Sequence, residues 1–107
     1  MDRATIESFI LSLPDVELTH RFGKEAAVFE TQGQMFGLIE EGKQPVRLSL
    51  RCDPKLSNIL RERYEEVMPG HKLSQKDWNT VVLTGQLELD DIKGLIRHSY
   101  QLVVGQS

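Results

Sequence analysis

The sequence predicts an α+β domain, a two-layer sandwich in which an antiparallel sheet of about five strands carries its helices on one face. Three observations carry this expectation. Val46, Leu48, Leu50 and Cys52 alternate with Arg47, Ser49 and Arg51, the period-two pattern of a strand with one dry face and one wet, basic face. Asp53-Pro54 follows at once, a capping residue and then a proline at the first helical position, where its missing N–H is not needed. The reversals between the first four strands are short, which joins neighbours antiparallel.

Each element has its own warrant. Asp2 is the expected N-cap of a first helix whose Ile6, Phe9, Ile10 and Leu13 form one apolar stripe, and Pro14 ends it. Leu18 to Phe22, closed by Gly23, and Ala26 to Thr31 read as strands because β-branched and aromatic residues are bounded by turn formers. Gln32-Gly33 turns the chain into Gln34 to Glu40, and residues 41–45 reverse it again before Val46 to Cys52. In the second helix Leu56, Ile59, Leu60, Tyr64 and Val67 are expected inward, with Arg61, Glu62, Glu65 and Glu66 largely outside and Pro69-Gly70 as the stop. Gly70 to Asp77 has no period and reads as loop; Trp78 to Leu83 is a fifth strand. A final helix from about Leu89 turns Ile92, Leu95, Ile96, Leu102 and Val103 inward, and Asp90 and Asp91 suit its positive end. The predicted order is α-β-β-β-β-α-β-α.

A chain of 107 residues is expected to be a single domain over positions 1–107 that folds without a cofactor. Apolar residues at 39% and charged residues at 27% are ordinary for a water-soluble globule. Asp2, Arg3 and Glu7 leave the first helix without the apolar stretch of a signal peptide or a membrane span, so a cytoplasmic protein is expected. Cys52 is the sole cysteine, which excludes an intramolecular disulfide and a cysteine-paired zinc site; inward on its strand, it reads as packing. The formal net charge of −3 argues against a globally basic surface. Between Lys43 and Lys76, however, basic residues outnumber acidic ones, so the middle third is expected to carry a positive face.

Several strings occur in order at compatible spacings: Phe22-Gly23, Gly33-Gln34-Met35-Phe36, Leu50-Arg51-Cys52-Asp53-Pro54, Val67-Met68-Pro69-Gly70, Trp78-Asn79-Thr80-Val81 and Ser99-Tyr100. With them the chain resembles the MmcQ/YjbR family over nearly its whole length. The resemblance implies a CyaY-like fold, the frataxin-type sandwich, and a proposed "double wing" mode of DNA binding. Similar members place a histidine at the position of Lys72 and another just before the tryptophan. Here Lys72 and Asp77 stand there and His71 lies one residue earlier, so the resemblance brings no histidine pair. Frataxin-type iron handling relies on a dense acidic face on the first helix; this helix offers Asp2 and Glu7, and iron binding is not expected.

The leading functional expectation is a non-enzymatic DNA-binding domain. Arg47, Arg51, Lys55, Arg61, Arg63, Lys72 and Lys76 would neutralise phosphates, Asn79 would reach a base edge and a partly exposed Trp78 would stack on an unpaired base. The alternative is a protein-interaction or small-ligand module with a hollow beside Trp78 and His71. A monomer, no membrane association and a partner that is DNA or an unknown protein complete the expectation. His20, His71 and His98 lack the spacing of local metal motifs, so no metal is expected. No nucleophile elbow, phosphate-binding glycine loop or HExxH helix is present, and Glu40-Glu41-Gly42 reads as a turn, so no catalytic residue is assigned. Tyr100 reads as a packing residue with an anchored hydroxyl.

Overall fold

The computed structural model describes residues 2–70 and 73–105. Its elements are α1 (Arg3–Leu11), β1 (Glu17–Thr19), β2 (Ala26–Thr31), β3 (Gln34–Glu40), β4 (Arg47–Arg51), α2 (Pro54–Arg63), β5 (Val67–Pro69), β6 (Trp78–Val82) and α3 (Leu89–Val104). The six strands form one antiparallel sheet in the order β1-β2-β3-β4-β6-β5. All three helices lie on one face, giving the expected two-layer α+β architecture with one strand more than predicted.

The core lies between the layers. Ala27, Phe29, Phe36, Ile39, Val46, Leu48, Leu50, Val67 and Val81 meet Ile6 and Ile10 of α1 and Ile92, Ile96 and Val103 of α3, with Leu60 and Tyr64 of α2 packed at its margin. Asp2 caps α1 by accepting the Thr5 amide at 2.8 Å, satisfying a donor that the first helical turn leaves open. At the other end of the chain, Glu88 and Asp91 form a reciprocal capping box that starts α3. Ser99 of α3 donates to the carbonyl of Phe36 on β3, and Tyr100 donates to the Pro14 carbonyl at 2.8 Å, its ring edge-on to Phe36. The Ser99-Tyr100 pair thus ties α3 to the sheet and to the end of α1. The β2–β3 reversal is a two-residue turn with Gln32 at φ 54° and Gly33 at φ 76°, the mirror-image geometry whose twist matches paired strands.

Several expectations need correction. The first strand is Glu17–Thr19, not Leu18 to Phe22: Gly23 donates to the His20 carbonyl at 2.9 Å, so the chain turns where three more strand residues were expected. The second helix ends at Arg63; Tyr64 is already extended, and Val67 leaves the helix stripe to pair with Val81. Ile59, expected inward, is 56% exposed, and the buried position of α2 is Ser57. The sixth strand is β5, which the sequence hides because Met68-Pro69-Gly70 looks like a stop signal; proline is tolerated at a sheet edge. Arg61 and Glu66, both expected largely outside, are instead half-buried and buried, held by contacts to β6 and to the segment after it.

The face of the sheet opposite the helices needs correction too. Arg47 is exposed as predicted, but Ser49 is buried and Arg51 half-buried, so the outer side of β4 is not a wet, basic stripe. Ser49 sits between Leu38 of β3 and Thr80 of β6, with 2.8 Å between the Ser49 and Thr80 hydroxyl oxygens. Trp78, paired with Arg51 on this same outer face, is 3% exposed. Gly70, at the end of β5, lies against it: its amide donates to the Trp78 carbonyl at 2.9 Å, and a Cβ placed on Gly70 would stand 2.8 Å from the Cβ of Trp78, so only glycine fits there. Part of the second sheet face is therefore dry although no helix covers it.

Candidate functional site

The sequence-predicted site residues are divided between the two layers. Arg47 and Arg51 project from the outer sheet face, whereas Lys55, Arg61 and Arg63 belong to α2 on the opposite side. Lys76 is exposed in the segment before β6, and His71 and Lys72 lie outside the described residues. No continuous face joins Arg47 to Arg63 among the described residues.

Several of these side chains already have partners. The Arg61 guanidinium donates to Asn79 Oδ1 at 2.7 Å and to the Trp78 carbonyl at 3.1 Å, and also to the Gln75 carbonyl, so it clamps the segment before β6 onto α2. Arg51 donates from Nε to the Met35 carbonyl at 2.7 Å and lies 5.1 Å from the centre of the Trp78 ring. Arg63 rests against the Tyr64 ring at 5.8 Å. Asn79 shares the inner face with Leu50 and is 3% exposed, far from presenting an amide to a base edge. His98 accepts the Asp53 amide on Nε2 at 3.1 Å, so it helps fix the start of α2. Cys52 is buried, and loss of water pushes its thiol up from the ordinary value, as suits packing rather than a nucleophile. No group of three or more ligating side chains is placed to hold a metal ion among the described residues. Nor is any described helix long and apolar enough to cross a membrane.

The hollow was expected beside Trp78 and His71, of which His71 lies outside the described residues. A void of about 10 Å³ lies between Arg51, Cys52, Leu60 and Asn79, room for one water at most. The substantial opening is a cleft of about 670 Å³ on the outer sheet face, towards the other end of β4. Its sheet floor carries Ala26 of β2 and Leu38 of β3, and Phe22 and Leu73 contribute apolar side chains from the connections that follow β1 and β5. Glu25, Glu40, Glu41, Lys43 and Arg47 complete the lining.

Local structure explains why these groups meet. The early end of β1 releases residues 20–25 into a turn that carries Phe22, 57% exposed, alongside the start of β2. Glu41 donates its amide to the Glu25 carbonyl at 2.8 Å, closing the start of β2 against the end of β3. Glu41 is offset by Arg3 of α1, 2.7 Å away. Ile39 pairs with Leu48, so Glu40 and Arg47, one step on, stand side by side on the outer face. Lys43, from the turn between these strands, adds a second cation. No ion pair engages Glu25, Glu40, Lys43 or Arg47 among the described residues. Such a site, with an apolar floor and a few charges left unpaired, can hold and orient a small molecule.

Of the cleft residues, sequence reasoning singled out Arg47 alone. The one local signal for the rest was Phe22, a large aromatic beside Gly23 in a position where no core stripe claimed it.

The matches to known proteins agree with one another. A family model described as YjbR matches residues 11–102. YbdF of Escherichia coli O157:H7 is 32% identical over 100 residues, which cover 94% of this chain and 82% of YbdF. YjbR of Escherichia coli K12 is 27% identical over 96 residues, covering 90% of this chain and 81% of that protein. The crystal structure of Deinococcus radiodurans DR2400, described as a DUF419 domain, superposes with a TM-score of 0.90 at 32% identity, over 94% of this chain and 77% of that one. A Pseudomonas syringae crystal structure shares the fold at a TM-score of 0.81 and 24% identity, over 95% of this chain and 98% of the other. The frataxin-type likeness rests on the motif resemblance alone. With its matched segment, its relatives and its six-stranded architecture all in accord, the chain belongs to the YjbR family.

Proposed function

We propose that this chain is a non-enzymatic binding domain whose working surface is the outer-face cleft and whose ligand is a small molecule. The observation that carries this reading is the combination, in one opening of about 670 Å³, of an exposed aromatic, an apolar floor and four charged side chains without ion-pair partners among the described residues. That volume lies within the range of small-molecule sites. The site differs in position from the hollow expected beside Trp78 and His71; Trp78 is buried, with Gly70 against it, and His71 lies outside the described residues. The test is a ¹⁵N–¹H NMR screen of the full chain against a library of small polar and amphipathic compounds. Shifts clustering at the amides of Phe22, Ala26, Leu38 and Arg47 are expected. Hits confined to other surfaces would sink the reading.

Association with DNA is a second reading, supported by Lys43 and Arg47, exposed cations beside the exposed ring of Phe22. These groups would bind phosphate and stack on a base. The carboxylates of Glu25 and Glu40 in the same cleft work against it, because they repel a polyanion. Fluorescence anisotropy of a labelled duplex and a labelled single strand, each titrated at several salt concentrations, separates the two readings. DNA binding through this face would weaken steeply with salt and be lost in Arg47→Ala, because each phosphate contact releases counterions.

A further inference from the structure

We propose that the cleft selects a zwitterion of peptide-like chemistry: a primary ammonium and a carboxylate joined by an apolar body about two or three residues long. This proposal rests on the ligand-binding reading of the same cleft and names the class of ligand.

The argument begins with the order of charges across the sheet. Glu25 adjoins the start of β2, Glu40 ends β3, and Lys43 and Arg47 belong to the turn and strand that follow. Moving from β2 to β4 along the outer face, the lining therefore changes sign from negative to positive. Glu41 is set apart from this balance by its contact with Arg3. Two carboxylates and two cations remain, so the cleft is dipolar with no net charge. A polyanion or a polycation gains at one side and loses at the other. A ligand carrying both signs gains at both.

Distance limits the size of that ligand. Neighbouring strands are about 4.8 Å apart, so β2 and β4 are separated by roughly 10 Å. An extended peptide spans at most about 3.5 Å per residue, which places the two termini of a di- or tripeptide roughly 7–10 Å apart. Ala26 and Leu38 in the sheet and Phe22 and Leu73 beside them give the same lining an apolar part, so the body of the ligand meets hydrocarbon there. Longer peptides would carry their terminal charges beyond the charged rim.

The test uses the full chain and four forms of one probe: the dipeptide Leu-Leu with both termini free, with the amine acetylated, with the carboxylate amidated, and with both capped. Dissociation constants are read from the NMR shifts of Ala26, Leu38 and Arg47. The free dipeptide is expected to bind best, each single cap to weaken binding at least fivefold, and the double cap to weaken it further. In Arg47→Gln the free dipeptide should fall to the affinity of the amidated form, which itself should not change. Glu25→Gln should do the same for the acetylated form, and retained spectral dispersion shows that either variant is folded. Equal binding of all four forms, or tightest binding of the doubly capped one, overturns the zwitterion while leaving a ligand cleft in place. If none of the four shifts the cleft amides, the zwitterion is again overturned, and the compound screen then decides separately whether the cleft binds anything.

Discussion

Arg61 of α2 donates its Nε–H to Oδ1 of Asn79 on β6 at 2.7 Å, and through this contact the helix layer grips a strand that its apolar side chains barely reach. Asn79 is buried and its Nδ2 has no hydrogen-bond partner, so Oδ1 is the only side-chain atom of this residue that the contact satisfies. Arg61→Ala would leave the whole amide buried without a partner and release the carbonyls of Gln75 and Trp78. A loss of about 2–3 kcal/mol is expected, because unmade hydrogen bonds to a charged donor cost that much. Arg61→Lys should recover only part of it, since an ammonium lacks the planar fork. Urea unfolding measures both. A midpoint unchanged in Arg61→Ala would show that the residue is a surface cation after all.

Glu66 predicts a second stability effect, localised elsewhere. One carboxylate oxygen accepts the Leu87 amide, and the other accepts the Thr84 amide at 3.2 Å, the Gln86 amide at 3.3 Å and the Thr84 hydroxyl. Glu66→Gln would turn an amide N–H₂ towards backbone amides that only donate. The expected cost is about 2–3 kcal/mol. Hydrogen exchange should show faster loss of protection at Thr84, Gln86 and Leu87, with the β2–β3 hairpin unaffected.

Gly94 offers a gain. It lies inside α3 on its exposed side, and a Cβ added there meets no heavy atom within 4 Å. Glycine in a helix interior costs roughly 0.5–1 kcal/mol relative to alanine, so Gly94→Ala should raise stability by about that amount. A thermal melt with no increase in midpoint would contradict this account of the helix.

The start of α1 sets a pH response. The Thr5 amide, bonded to the Asp2 carboxylate, holds that carboxyl below its ordinary value of 3.8. The folded state therefore binds the proton less readily than the unfolded state. The cap's contribution is complete above the unfolded value and is lost as pH falls through the folded one. Asp2→Asn, which keeps an oxygen acceptor, should remove this acid dependence while retaining the helix. An NMR titration of the Asp2 side chain and the Thr5 amide follows it directly.

Most of the fold was legible because its stripes are periodic. Val46, Leu48 and Leu50 are buried at every second position, and Ile92, Ile96, Ser99 and Val103 at every third or fourth. Asp2, Pro54 and Gln32-Gly33 marked their boundaries for the local reasons that make them caps, helix starts and turns, and Asp53 stands at the N-cap of α2 without a side-chain capping bond. What failed was whatever depends on a distant partner. Arg61 and Glu66 look like solvent-facing charges on a helix, and only β6 and the segment after it show otherwise. The outer side of β4 looks wet until β6 brings Thr80 to Ser49 and Trp78 to Arg51. The cleft was least legible of all. Phe22, Leu38, Arg47 and Leu73 come from separate parts of the chain with no fixed spacing, and only the closed sheet brings them together.

The two rims of the sheet carry a further consequence. Each outermost strand, β1 and β5, is three residues long, one beginning with Glu17 and the other ending with Pro69, which has no amide proton to give. Another chain that tried to extend this ladder would find little backbone to grip. Crowding at high concentration should therefore leave the sheet at six strands instead of knitting copies into ribbons, and a lasting association between copies would have to be written in side chains.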